Sequence, residues 1–266
     1  LNAAIERNGG DMSIATPNRP HCKLALWLGA AGLLAQLALF PYVFQVMPQA
    51  LAASRKPLWL LVSLLSVQAG LQCFAFAWLG LYLGASLGLD APWLRALVYR
   101  RPVQSAAPAR WRSAVLLGVL LGLLTGAVAV LWPGPVVGSV AAAGAFAQAW
   151  RGALAGLYGG IVEEIMCRLM LMTLLVWLLS RWHRRQAWMY ATAALLAAVL
   201  FGVGHLPAAL AVGMHTPMQL GRIVLLNAMP GVIFGWLFWK HGLEHAMVAH
   251  LSTDAIVHAL LPLALS

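Results

Sequence analysis

Seven apolar runs dominate this chain, each close to or longer than the roughly 20 residues that a helix needs to cross a bilayer. They lie at about 23–47, 57–87, 111–131, 147–179, 187–206, 218–239 and 243–261. In hydrocarbon every backbone N–H and C=O must find a partner inside its own segment, so runs of this kind fold as helices. The expected fold class is therefore all-α, a polytopic transmembrane helix bundle of about seven spans. Composition points the same way: of 266 residues, 62% are apolar and 9% are charged. A soluble domain carries about 25% charged residues, and one of this size has too little polar side chain here to cover its surface.

Helix breakers punctuate the runs. Pro41 is expected to kink the first span, Trp132, Pro133, Gly134 and Pro135 to end the third, and Pro207 to stop the fifth, while Pro230 and Gly231 fall inside the sixth. The net charge of +10 raises the question of nucleic acid. The basic residues, however, stand in short groups between apolar runs: Arg95, Arg100, Arg101, Arg110 and Arg112, then Arg181, Arg184 and Arg185. That is the pattern of cytoplasmic loops rather than of a nucleic-acid surface, so no nucleic-acid partner is expected. With seven spans, loops 88–112 and 181–187 share one side, expected to be cytoplasmic, with the N-terminus inside and the C-terminus outside. Arg55 and Lys56 then lie outside, against the rule. Cys22, Cys73 and Cys167 are scattered and form no CxxC pair, which argues against a disulfide framework or a zinc–thiolate site.

Acidic residues carry the functional signal. Glu6, Asp11 and Asp90 fall in the tail or a loop, and Glu244 stands at the mouth of the seventh span. Glu163, Glu164 and Asp254 lie inside spans, where an ionisable group costs a few kcal/mol and is a functional candidate by default. Glu164 and Arg168 are four residues apart on one helical face and can neutralise each other. Glu163 is turned about 100° away, without a local partner, and is placed to act as a general base. The fifth span brings His205, preceded by Gly202 and Gly204, which let a neighbouring helix or a ligand come close. The seventh brings His250 and Asp254, with His258 one turn further, as a polar stripe. A His four residues before an Asp suits either two metal ligands or a histidine oriented by a carboxylate. His215, His241, His245 and His258 have a plainer reading, as interfacial side chains or groups hydrogen-bonded to a neighbouring backbone. Thr125, Gln36, Gln68 and Gln72 read as interhelical hydrogen-bond formers.

Three ordered motifs on separate spans now stand out: Glu163-Glu164-Ile-Met-Cys-Arg168, Phe201 to His205, and His250 to Asp254. They resemble the E-E-x-x-x-R, F-x-x-x-H and H-x-x-x-N/D motifs of the CPBP family, which includes the type II CAAX prenyl endopeptidases and bacteriocin-processing proteins. The resemblance covers roughly residues 114–261. Asp254, where the prenyl endopeptidases tend to carry Asn, is closer to the broader bacterial branch. The resemblance implies an intramembrane endopeptidase acting on a membrane-associated or lipidated peptide or protein. By transfer of the motifs, Glu163 and His205 would activate water, His250 and Asp254 would stabilise the oxyanion or complete a metal site, and Arg168 would hold Glu164. A divalent metal, expected to be Zn²⁺ on Glu163, His205 and His250, would compensate the buried carboxylate charge. The expected organisation is a disordered tail at 1–22, N-terminal membrane spans at 23–110 and a catalytic membrane core at 111–266. The expected location is a bacterial inner membrane, from the lack of a targeting peptide and from the branch. The competing reading is a proton- or ion-coupled transporter that uses the same residues as a relay. Repeated halves and paired broken helices, which many transporters have, are not seen in the sequence. A haem protein ligated by His205 and His250, or a scaffold with little hydrolysis, are weaker alternatives.

Overall fold

The structure, a computed structural model, describes residues 21–48, 56–103, 109–132 and 144–264. Residues 1–20 of the expected tail at 1–22, Arg55 and the breaker residues Pro133 to Pro135 lie outside the described residues, and Cys22 already belongs to the first helix. All regular structure among the described residues is helical. The elements are α1 (Cys22–Val46), α2 (Leu58–Gly84), α3 (Pro92–Tyr99), α4 (Trp111–Leu131) and α5 (Ala145–Tyr158). From α5 the chain runs without a break through two π-helical segments, π1 (Gly159–Glu163) and π2 (Ile165–Met172), into α6 (Thr173–Leu179). Then follow α7 (Ala187–Gly204), α8 (Leu206–Ala211), α9 (Pro217–His241), α10 (Leu243–Asp254), π3 (Ala255–Leu260) and α11 (Leu261–Ala264).

Among the described residues six stretches are long and apolar enough to cross a bilayer: α1, α2, α4, α7 with α8, α9, and α10 through α11. The expected fourth span is the interrupted helix from Ala145 to Leu179, so the seven apolar runs correspond to seven long helical stretches. Large apolar side chains project outward along them, as on α4, where Leu116 and Leu120 are each 61% exposed. Such exposure suits hydrocarbon as the outer solvent. The protein is an integral, multi-pass membrane protein.

Small residues set the packing distances, as is usual where helices associate in lipid. Gly29 and Gly32 of α1 lie against Gly70 and Cys73 of α2, and Gly118 of α4 lies against the Ala249 carbonyl of α10. Ile165, Leu169, Met172 and Val176 make the fully buried stripe of π2 and α6, with Leu169 against Gly80 of α2. α1 continues through Pro41, and α9 through Pro230. The N-terminus of α9 is closed by a reciprocal capping box between Thr216 and Gln219.

The loop before α4 holds a short helix, α3, that the apolar pattern did not foretell. Pro92 opens it, and the Glu244 carboxylate of α10 accepts the Leu94 N–H at 2.7 Å, capping it from across the chain. Asp90 pairs with Arg95 at 2.7 Å, and Arg100 ends the helix in the left-handed region at φ 51°. Lys23 donates to the Val98 carbonyl, and Arg110 donates its N–H to Nε2 of His245, whose ring stacks on Trp111. The starts of α1, α4 and α10 are thereby gathered around α3 at one end of the bundle.

Candidate active site

Three helical stretches bring the six candidate residues together: Ala145–Leu179, α7 and α10. Glu164 is fully buried; its Oε1 accepts from Nη1 of Arg168 at 2.8 Å and from Nδ1–H of His250 at 2.7 Å. Arg168, itself 1% exposed, also donates through Nη2 to the Gly231 carbonyl at 2.9 Å. Its guanidinium lies 5.1 Å from the Phe201 ring and 5.3 Å from the Phe234 ring. Two aromatic faces and two acceptors thus replace the water that the cation gave up. Phe234 also stacks on the His250 ring at 4.6 Å, so it braces the arginine and the histidine together.

Glu163, one residue before Glu164, points to the other side of His250. Its Oε2 is 3.8 Å from Nε2 of His250, and its Oε1 is 3.7 Å from Nε2 of His205. Asp254 completes the ring, with Oδ2 at 3.6 Å from Nε2 of His250. Glu163 and Glu164 thus face different sides of the site, and His250 meets both through its two nitrogens. Exposure still distinguishes them: the Glu163 and His205 side chains are 20% and 32% open, whereas Glu164 is sealed. The site therefore opens on the Glu163–His205 side.

The two histidines share one feature. Nδ1 of His205 faces the Phe201 carbonyl at 2.9 Å. A carbonyl only accepts, so Nδ1 carries the hydrogen there. Nδ1 of His250 faces an oxygen that already accepts from Arg168, so it donates as well. In the neutral rings both Nε2 atoms are left as lone pairs turned toward the Glu163 carboxylate. Acceptors facing acceptors at 3.6–3.8 Å call for a shared donor or cation between them.

Glycines make the room. A Cβ on Gly159 would run into Oδ2 of Asp254 and lie 3.1 Å from Nε2 of His250, so π1 approaches the site as backbone alone. Gly202 lies against the Val224 carbonyl of α9, as close helix approach requires, while Gly204 has open space beside it. His258 leaves the polar stripe: π3 begins at Ala255 and changes the turn, and the His258 ring meets Tyr42 edge-on at 6.2 Å. Phe234, Gly231 and Gly159 are the contributors that the motifs did not single out. The Gly231-x-x-x-Gly235 spacing of small residues marked Gly231 as a packing position, and nothing local marked Phe234.

Residues 144–256 match the family model described as Type II CAAX prenyl endopeptidase Rce1-like. The matched segment contains all three motifs and is consistent with the CPBP family. No curated protein and no solved structure matches the chain. The match supports an intramembrane endopeptidase in general, with a membrane-associated peptide as substrate, and lends nothing to the transport reading.

Proposed function

With a Rce1-like endopeptidase domain at 144–256 as premise, we propose that this protein hydrolyses a peptide bond of a membrane-associated or lipidated protein at the Glu163–His205–His250–Asp254 cluster. The observation that carries the reading is the lone pair of His205 Nε2 set 3.7 Å from Glu163 Oε1. A water at about 2.8 Å from each donates one hydrogen to the imidazole and one to the carboxylate. Its own lone pairs then face the open side, where a peptide carbonyl arrives. Glu163 takes the proton as the water oxygen bonds to the carbonyl carbon, and returns it to the amine nitrogen as the C–N bond breaks. His250 and Asp254, on the far side of Glu163, complete a metal site, or stabilise the oxyanion when Nε2 of His250 carries a proton that the Asp254 carboxylate holds in place. Glu164 and Arg168 are positioning residues: they fix the His250 ring and its tautomer and touch no reacting atom.

The donor set also suits a divalent metal. Two imidazole Nε2 atoms and two carboxylates are the ligand types of catalytic zinc, and both histidines have Nδ1–H tied to an oxygen acceptor, as metal-bound histidines usually do. The spacings of 3.6–3.8 Å are a few tenths of an ångström wider than the edge of about 3.4 Å around a tetrahedral zinc. Among the described residues no group of three or more His, Cys, Asp or Glu side chains is spaced as a metal cluster. Glu163, His205 and His250 would hold the ion, Zn²⁺ by donor type, which would supply Lewis acidity and charge compensation. A bacterial inner membrane as its place is part of the same proposal.

The test is cleavage of a lipidated peptide panel by purified protein in bilayer nanodiscs. Glu163→Gln is expected to lower turnover by about 10²- to 10⁴-fold with an unchanged melting profile. Cleavage that persists in Glu163→Gln would remove the general base and the mechanism with it. Metal analysis is expected to find about one zinc per chain, lost in His205→Ala. A gently purified, active and metal-free protein would discard the metal while leaving the glutamate mechanism in place.

A further inference from the structure

At the end of the bundle opposite α3, α1 and α5 enclose a cleft of about 280 Å³ lined by Pro41, Phe44, Gln45, Trp150 and Arg151. It lies away from the peptidase site and holds a cation. Nη1 of Arg151 donates to Oε1 of Gln45 at 3.1 Å, and the guanidinium lies 5.3 Å from the Trp150 ring. Gln45 is 7% exposed, and its amide N–H₂ donates to no group among the described residues.

Charge is the reason to look for a ligand here. Among the described residues every carboxylate is engaged elsewhere: Asp90 with Arg95, Glu164 with Arg168, Glu163 and Asp254 around His250, and Glu244 on α3. The Arg151 charge therefore has no protein carboxylate beside it among those residues. Arg151 lies six residues inside α5, about 9 Å from its start, within reach of the headgroup level for a long basic side chain. Beside it Phe44 and Trp150 are 38% and 39% exposed. A ligand that satisfies this cleft is anionic at one end and apolar along the rest.

We propose that the cleft binds the phosphate of an anionic phospholipid, held by Arg151 and the Gln45 amide, with an acyl chain along Phe44 and Trp150. The apolar flank in the bilayer favours a lipid over free phosphate as the source of the anion.

Native mass spectrometry of the full chain from detergent, titrated with phosphatidylglycerol, tests it. Wild type is expected to retain the lipid, and Arg151→Gln to bind it about five-fold more weakly, the worth of one basic group at an anionic surface. Arg151→Lys keeps most of the binding, Gln45→Ala weakens it, and Arg181→Gln at the other end leaves it unchanged. Size-exclusion profiles identify any variant that fails to fold, and the Lys and Gln45 variants then carry the comparison. Equal retention by wild type and Arg151→Gln overturns the proposal. So does inorganic phosphate if it raises the melting temperature as much as the lipid does, since the occupant is then a free anion.

Discussion

At the residue scale, one oxygen links support to chemistry. Oε1 of Glu164 takes hydrogen bonds from Arg168 and His250, while its Oε2 is buried without a partner among the described residues. Removing the arginine would leave a buried carboxylate opposed only by the histidine. Arg168→Met is therefore expected to destabilise the fold by about 3–5 kcal/mol, the usual cost of orphaning a buried charge. Glu164→Gln with Arg168→Met is expected to lose less than the sum of the two, by about 0.5–3 kcal/mol of coupling. Thermal unfolding in one detergent checks both; strict additivity would mean that the two side chains do not act as a pair. The pairing was legible because four-residue spacing on a helix puts Glu164 beside Arg168. His250 beside both glutamates was legible only as a motif partner, because nothing local in α10 says which helix it meets. Phe234 was harder still: an aromatic in an apolar span has no distinguishing mark until its ring is found against His250 and Arg168.

At the element scale, the π-helical turns do what a regular helix could not. π1 ends at Glu163 and π2 begins at Ile165, so the two glutamates sit at the junction of two widened segments. Wider turns alter the angle between successive side chains and are common at functional sites. They let Glu163 face His205 and His250 while Glu164 reaches Nδ1 of the same His250. Gly159 in π1 admits Asp254 beside the helix. Gly159→Ala is expected to lower turnover by about 10²-fold, the scale of a misplaced catalytic group, with a smaller loss of stability. Gly204→Ala, which adds a methyl group to open space, is expected to stay within about 0.5 kcal/mol of wild type. Turnover and melting temperature measured together separate the two; equal turnover in Gly159→Ala would deny that π1 positions Asp254. The spans were legible as apolar runs because hydrocarbon leaves the backbone few options. The π turns were not, since they are register shifts imposed by packing, and α3 was too short and mixed to register as a periodic segment.

At the scale of the whole molecule, the basic residues divide by end. Lys23, Arg95 and Arg110 gather around α3, and the loop from Ser180 to Gln186 that carries Arg181, Arg184 and Arg185 lies at the same end if Ala145–Leu179 and α7 both cross. The opposite end keeps Lys56, Arg151 and Arg222 among the described residues, and Arg222 is engaged with the carbonyls of Trp132 and Ala129. An excess of cations in short loops holds that side in the cytoplasm, so the α3 end is expected to face inward. His205, at the far end of α7, then lies toward the outer leaflet, and its open side is where a substrate would enter. A single cysteine placed at Trp182, 74% exposed, or at His215, in a Cys22→Ser background, tests the arrangement with Cys73 and Cys167 buried. A membrane-impermeant maleimide applied to intact cells should label position 215 and leave position 182 unlabelled until the cells are opened. The reverse pattern would invert the protein and place the His205 opening toward the cytoplasm. Labelling of both positions from one side would mean that α7 does not cross, and the seven-span architecture would fall with it.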